Sequence, residues 1–201
     1  MIARFRPLLA RLVGDERATS IMEFALAAPM FLLVLMGIFD FSMQLYAKSV
    51  LSGAVNRAAR DAALEGNNAS QSAIDAGVTE TVRNVFGSAT VTYTRLAYDD
   101  FSGVNNPEPF EDNPLAPNGV RDAGECFTDL NGNGGFDLNR GRGGQGGGDE
   151  VVLYTAQMQI SRIFPAWKML GQPQISTIRA ATVLRNQPFN TNDINDTEIC
   201  T

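Results

Sequence analysis

Four oxygen-bearing side chains, Asp129, Asn131, Asn133 and Asp137, fall at odd-numbered positions of a short stretch of this chain, the first three alternate and the last four places on. The stretch reads D-x-N-x-N-G-x-x-D, the first nine places of a loop that wraps a calcium ion. In such a loop the sixth place, here Gly134, permits a sharp turn, and the seventh, here Gly135, contributes its backbone carbonyl. The twelfth place normally supplies a bidentate carboxylate, and this chain has Arg140 there. A last ligand must come from elsewhere. Asp149 and Glu150, beyond a glycine-rich run, are the first candidates, with Asp122 and Glu125 behind them. An Asn/Gly-rich turn that binds no metal is the competing reading of the same residues.

A second residue of chemical interest is Glu23, which heads an apolar run over residues 24–39 that no charge interrupts before Asp40. An ionisable group at the edge of such a run is costly unless it is used. Most other chemistry is excluded by composition. The 201 residues contain no histidine, which removes the commonest general base and the commonest zinc or copper ligand. No zincin or nucleophile-elbow pattern is present, so an enzyme is not expected. A net charge of -6 argues against a nucleic-acid partner. Cys126 and Cys200 are the two cysteines. Outside the cytoplasm they are expected to form one disulfide, which would stabilise by roughly 4 kcal/mol through loop closure, with two free thiols as the alternative. The run 141–148 is glycine-rich but lacks the GK[ST] ending of a phosphate loop, and reads as a flexible linker.

The elements that must position these residues follow from periodicity. Arg4, Arg6, Arg11 and Arg17 precede the apolar run, which extends weakly to Tyr46. The pattern suits a single bilayer crossing with the N-terminus inside. A signal peptide and a buried core helix are the rival readings; the run is longer than a usual signal h-region. Pro29 lies inside it. From Ala47 to Leu64 the chain continues as an amphipathic helix, with Val50, Leu51, Ala54, Val55, Ala58 and Ala62 on one face. One continuous helix of about 45 residues is therefore expected, stopped at Gly66-Asn67-Asn68. A second helix is expected over 70–86. Strands are expected over 90–96, 151–161 and 174–185, the second with Val152, Tyr154, Ala156, Met158 and Ile160 on one face. The connection 164–171 joins the last two strands, and its Trp167 reads as core or sheet-edge packing, with a membrane-surface role as the alternative. The fold class is α+β: a long N-terminal helix on a small antiparallel sheet, with a long loop-rich insert over 99–150.

These residues resemble the TadE-like family of minor pilins, or pseudopilins, of the Tad/Flp type IV pilus system. The resemblance rests on Ala18, four residues, then Glu23-Phe24 opening an apolar helix that soon contains Pro29, and on Asn56-Arg57-Ala58-Ala59-Arg60-Asp61 downstream. The segment 179–188 is similar to the family's last strand. The resemblance implies a pilin-like fold with a leader (1–18), a transmembrane helix (19–46) and an extracytoplasmic domain (47–201). It also implies cleavage by a prepilin peptidase between Ala18 and Thr19, although the family usually has glycine where this chain has Ala18. Other pilin subunits and the inner-membrane assembly machinery are the implied partners. A newly made N-terminus is a cation near lipid, and Glu23 of an adjacent subunit could neutralise it. Ser20-x-x-Glu23 is equally a capping box at a helix start, which needs no partner. The expected function is assembly of a pilus. The alternative is a membrane-anchored calcium-binding or adhesion module that stays outside any filament.

Overall fold

In this computed structural model the described residues are 16–65, 71–115, 117–187 and 196–200. The arginines at positions 4, 6 and 11, the expected stop at 66–68 and the start of the second helix at Ser70 lie outside them. Helix α1 (Glu16–Glu65) takes in the apolar run and the amphipathic segment as one element, Pro29 included. It begins earlier than a capping box at Ser20 requires. Ser20 and Glu23 lie in its second turn, so Ser20 does not cap this helix.

The chain divides into two compact units, one built from α1 up to Leu45 with residues Arg162–Gln174, the other from Tyr46–Ser161 and the residues from Ile175 onward. In the first unit, Arg162 ion-pairs with Asp40 at 2.6 Å. The Gln44 carboxamide donates to the same Asp40 oxygen at 2.9 Å. Phe39 and Phe164 meet with ring centroids 6.0 Å apart. Trp167 lies here, half-buried on a short helix α3 (Ala166–Met169). It is not part of the buried core cluster, one of the places the sequence suggested for it.

The second unit follows the alternation of its strands. A four-stranded antiparallel sheet has the order β3-β1-β4-β5, with β1 Thr90–Tyr98, β3 Arg142–Gly143, β4 Val151–Ser161 and β5 Ile175–Arg185. The central strand β4 has a partner on both sides, from Thr90↔Gln159 to Tyr98↔Val151 and from Val151↔Arg185 to Ser161↔Ile175. Its even-numbered residues Val152, Tyr154, Ala156, Met158 and Ile160 enter the core, as the period of two requires. From α1 come Ala47, Leu51, Ala54, Val55, Ala58 and Ala59, which recur at three- and four-residue steps; Lys48, Arg57 and Arg60 stay outside.

Helix α2 (Gln71–Arg83) adds Val78 and Val82 to the core. A polar cluster fixes it to the sheet. Asp75 takes a two-pronged hydrogen bond from Arg95 of β1, at 3.0 and 2.6 Å, and another from the Tyr154 hydroxyl at 2.7 Å. The Arg95 guanidinium also stacks 4.5 Å from the Tyr154 ring centroid. Tyr93 donates to the Asp75 backbone carbonyl at 2.9 Å and lies 2.6 Å from the Thr79 hydroxyl. Burial, then the hydrogen bond to the Asp75 carboxylate, push the Tyr154 hydroxyl far above its ordinary 10.0. Removing one member of a shielded ion pair strands the other, so Asp75→Ala is expected to lower the unfolding free energy by about 3 kcal/mol in chemical denaturation of the full chain. An unchanged midpoint would show that the cluster contributes nothing. Because the folded state favours the protonated phenol, its contribution is present below pH 10 and is lost as pH rises beyond that value. Denaturation midpoints are expected to fall above pH 10, and less steeply in Tyr154→Phe.

Candidate functional site

The insert between β1 and β4 has a small core of its own. Phe136 meets Phe110 and Phe127 edge-on, at 5.8 and 5.7 Å, and Arg121 lies over the Phe127 ring at 4.8 Å. Phe110 and Phe127 also bridge as strand neighbours. Strand β2 (Cys126–Asp129) pairs antiparallel with β6 (Thr197–Cys200), and the register sets Cys126 opposite Cys200. The two cysteines are joined as a disulfide, closing 74 positions of chain. This second sheet was not anticipated, because four-residue strands are too short to carry a readable period.

Asp129 ends β2 and is buried. Its carboxylate gathers the backbone of the following turn, accepting from the N–H of Gly132 at 2.7 Å, Asn133 at 3.3 Å and Gly134 at 2.8 Å. Gly132 and Gly134 both adopt positive φ, 77° and 80°, which explains glycine at these places. The side-chain carboxamides of Asn131 and Asn133 converge on one oxygen of Asp137, at 2.7 and 2.5 Å. The structure therefore gathers the motif residues around one turn. Beneath it lies Glu108, which the sequence reading passed over. Glu108 is buried, and its two oxygens accept from the N–H of Leu130 at 3.0 Å and Asp137 at 3.1 Å. A carboxylate between two prolines, Pro107 and Pro109, was the available signal.

The residues proposed to complete the ligand set are engaged elsewhere. Glu150 is buried, with its oxygens 2.6 and 2.8 Å from Arg142 and one accepting from the Gly147 N–H at 2.7 Å. Asp149 has φ 64° and lies 3.4 Å from Arg185. The run 141–148 is correspondingly not a free linker. Arg142–Gly143 pairs with β1, and Asn186 donates to the carbonyls of Gln145 and Gly147. Arg142 and Glu150 hold this run because a buried carboxylate needs its cation. Glu125 accepts from the N–H of Asn113 and Asp122, and Asp122 from the Asn118 amide. Arg140, at the twelfth place, pairs with Asp99 at 3.0 Å and Asp100 at 3.2 Å. The Ser102 hydroxyl bonded to Asp100 holds that carboxyl below its usual range.

At the other end of the chain, Ala18 and Thr19 lie in the first turn of α1, and Glu23 and Phe24 are exposed one turn on. Around them α1 is long and apolar enough to cross a membrane. Its most apolar window has mean hydropathy 2.2 and is 0% buried.

No curated protein and no solved structure matches the chain. A family model described as TadE-like protein matches residues 18–60, which begin at Ala18 and take in Glu23, Pro29 and the alanine face of α1, so that over this helix the chain is similar to the TadE-like family.

Proposed function

We propose that this chain is a minor pilin that helps to initiate, prime or tip a Tad-type pilus, working by assembly without turnover chemistry. The observation that carries the reading is the TadE-like match over 18–60, which falls on the exposed apolar helix and includes Glu23. In this proposal α1 crosses the inner membrane once, with its N-terminus in the cytoplasm and the sheet outside. A disulfide between Cys126 and Cys200 suits that oxidising side. Cleavage by a prepilin peptidase after Ala18 requires only the first turn of α1 to unwind, and terminal turns fray readily. The cut makes Thr19 a cationic terminus, and Glu23 of a neighbouring subunit neutralises it as the two helices dock. Mass spectrometry of the mature protein is expected to find Thr19 at the N-terminus. Glu23→Ala is expected to enter the membrane normally and to be missing from isolated pili. Normal incorporation of that variant would reject the pairing role, and an intact Met1 or a cut beyond Phe24 would reject the pilin assignment.

We also infer a calcium site at the 129–137 turn, favoured by the convergence of Asn131, Asn133 and Asp137 beside the Asp129 carboxylate. Hard oxygen donors and carboxylate charge are what calcium takes. Asp129, Asn131, Asn133 and Asp137 would hold it with the Gly135 carbonyl, the two carboxamides turning their oxygens inward. Its role would be to brace the insert against neighbouring subunits or a surface. Calorimetry on the full chain is expected to show calcium binding with Kd on the order of 0.1–1 mM, and loss of that heat in Asp137→Ala. No heat at millimolar calcium would reject the site.

A further inference from the structure

The connection between β4 and β5 is unusual for a surface loop. It exposes Ile163 (69%), Met169 (75%) and Leu170 (54%), with Phe164 and Trp167 half-buried beside them. It is also well built. Its ends are closed by Arg162 N–H donating to the Gln174 carbonyl at 3.0 Å, and Gln172 N–H donates to the Trp167 carbonyl at 2.8 Å. Gly171 turns the chain at φ 64°. Large apolar side chains grouped on an ordered loop mark a surface that something covers.

What covers it follows from where the loop is fastened. Arg162 holds Asp40 and Phe164 meets Phe39, within the same compact unit. The apolar surface of the loop is thus continuous with that of α1 at Phe39 and Phe41, themselves 56% and 63% exposed. From Glu23 to Asp40 a helix rises about 25 Å, less than the roughly 30 Å of a hydrocarbon core. Asp40 therefore lies at or inside the far edge of that core, and Arg162 and Gln44 neutralise and hydrogen-bond it there. A residue bound to Asp40 shares its depth.

We propose that the 162–174 connection is a second membrane contact, inserting Ile163, Trp167, Met169 and Leu170 into the outer lipid interface beside the span. Tryptophan favours that zone, and the exposed Lys168 can reach the anionic headgroups from it. The contact fixes the rotation and depth of α1 at its exit, which a lone helix leaves undetermined. This inference rests on the reading of α1 as a bilayer span.

Trp167 is the chain's one tryptophan, so its fluorescence reports the loop alone. The full chain is reconstituted into vesicles of phosphatidylcholine and phosphatidylglycerol, and flotation is scored first. Expected results are flotation with the vesicles, several-fold stronger quenching by lipids brominated near the headgroup than by lipids brominated at the chain end, and weak quenching by aqueous iodide. Met169→Asp with Leu170→Asp is expected to restore iodide quenching while the chain still floats. Failure to float after carbonate extraction would overturn the span and the contact together. Flotation with Trp167 open to iodide and untouched by brominated lipid would overturn the contact alone. A Trp167 shielded from both quenchers would assign the patch to a protein partner and equally overturn the lipid contact.

Discussion

The second unit depends on one strand having two hydrogen-bonded neighbours and one buried face. β4 is paired with β5 over its whole length and with β1 from Val151 to Gln159, which leaves its side chains to decide what covers the sheet. Val152, Ala156 and Met158 are wholly buried, in one cluster with the alanine-lined face of α1. Leu51 and Val55 of α1 and the valines of α2 complete that cluster. The cost of ordering α2 is offset in part by polar contacts at its first turns, where Asp75 meets a guanidinium and a phenol. Such a cluster adds directionality that apolar contact lacks, because it is satisfied in only one placement of α2.

The insert is a contrasting solution. It has few residues in regular structure, and carboxylates take up a share of its backbone donors. Asp129, Glu108, Glu125, Asp112 and Glu150 each accept backbone N–H groups from turns that have no ladder to join. Carboxylates suit this task because two oxygens serve several donors and ionised acceptors bond strongly. Much of the acidity of the insert therefore serves its own structure.

The parts legible in the sequence were those with a long period. The long helix, its amphipathic half and the alternation from Val152 to Ile160 extend over enough residues to separate a spacing of 3.6 from one of 2. Glu23, Pro29 and the disulfide partners were legible as types and positions. Short strands were not, and neither was the edge pairing of Arg142–Gly143, since glycine there mimics a linker. The other partners of Asp149 and Glu150, chosen as distant ligands, were hidden for a related reason. Counting acidic residues cannot reveal that Arg142 has already claimed Glu150. Glu108 was missed because a buried brace differs from a solvated charge only in its surroundings.

The Cys126–Cys200 bond has a topological consequence. Strands β3, β4 and β5 all fall within the ring it closes, together with the 129–137 turn. A protease that cut once between those cysteines would leave both halves covalently attached. The sheet could then be nicked without any strand departing, and the wound would show only on reduction. Wherever proteases reach this part of the chain, that turns a severing cut into one the bond holds together.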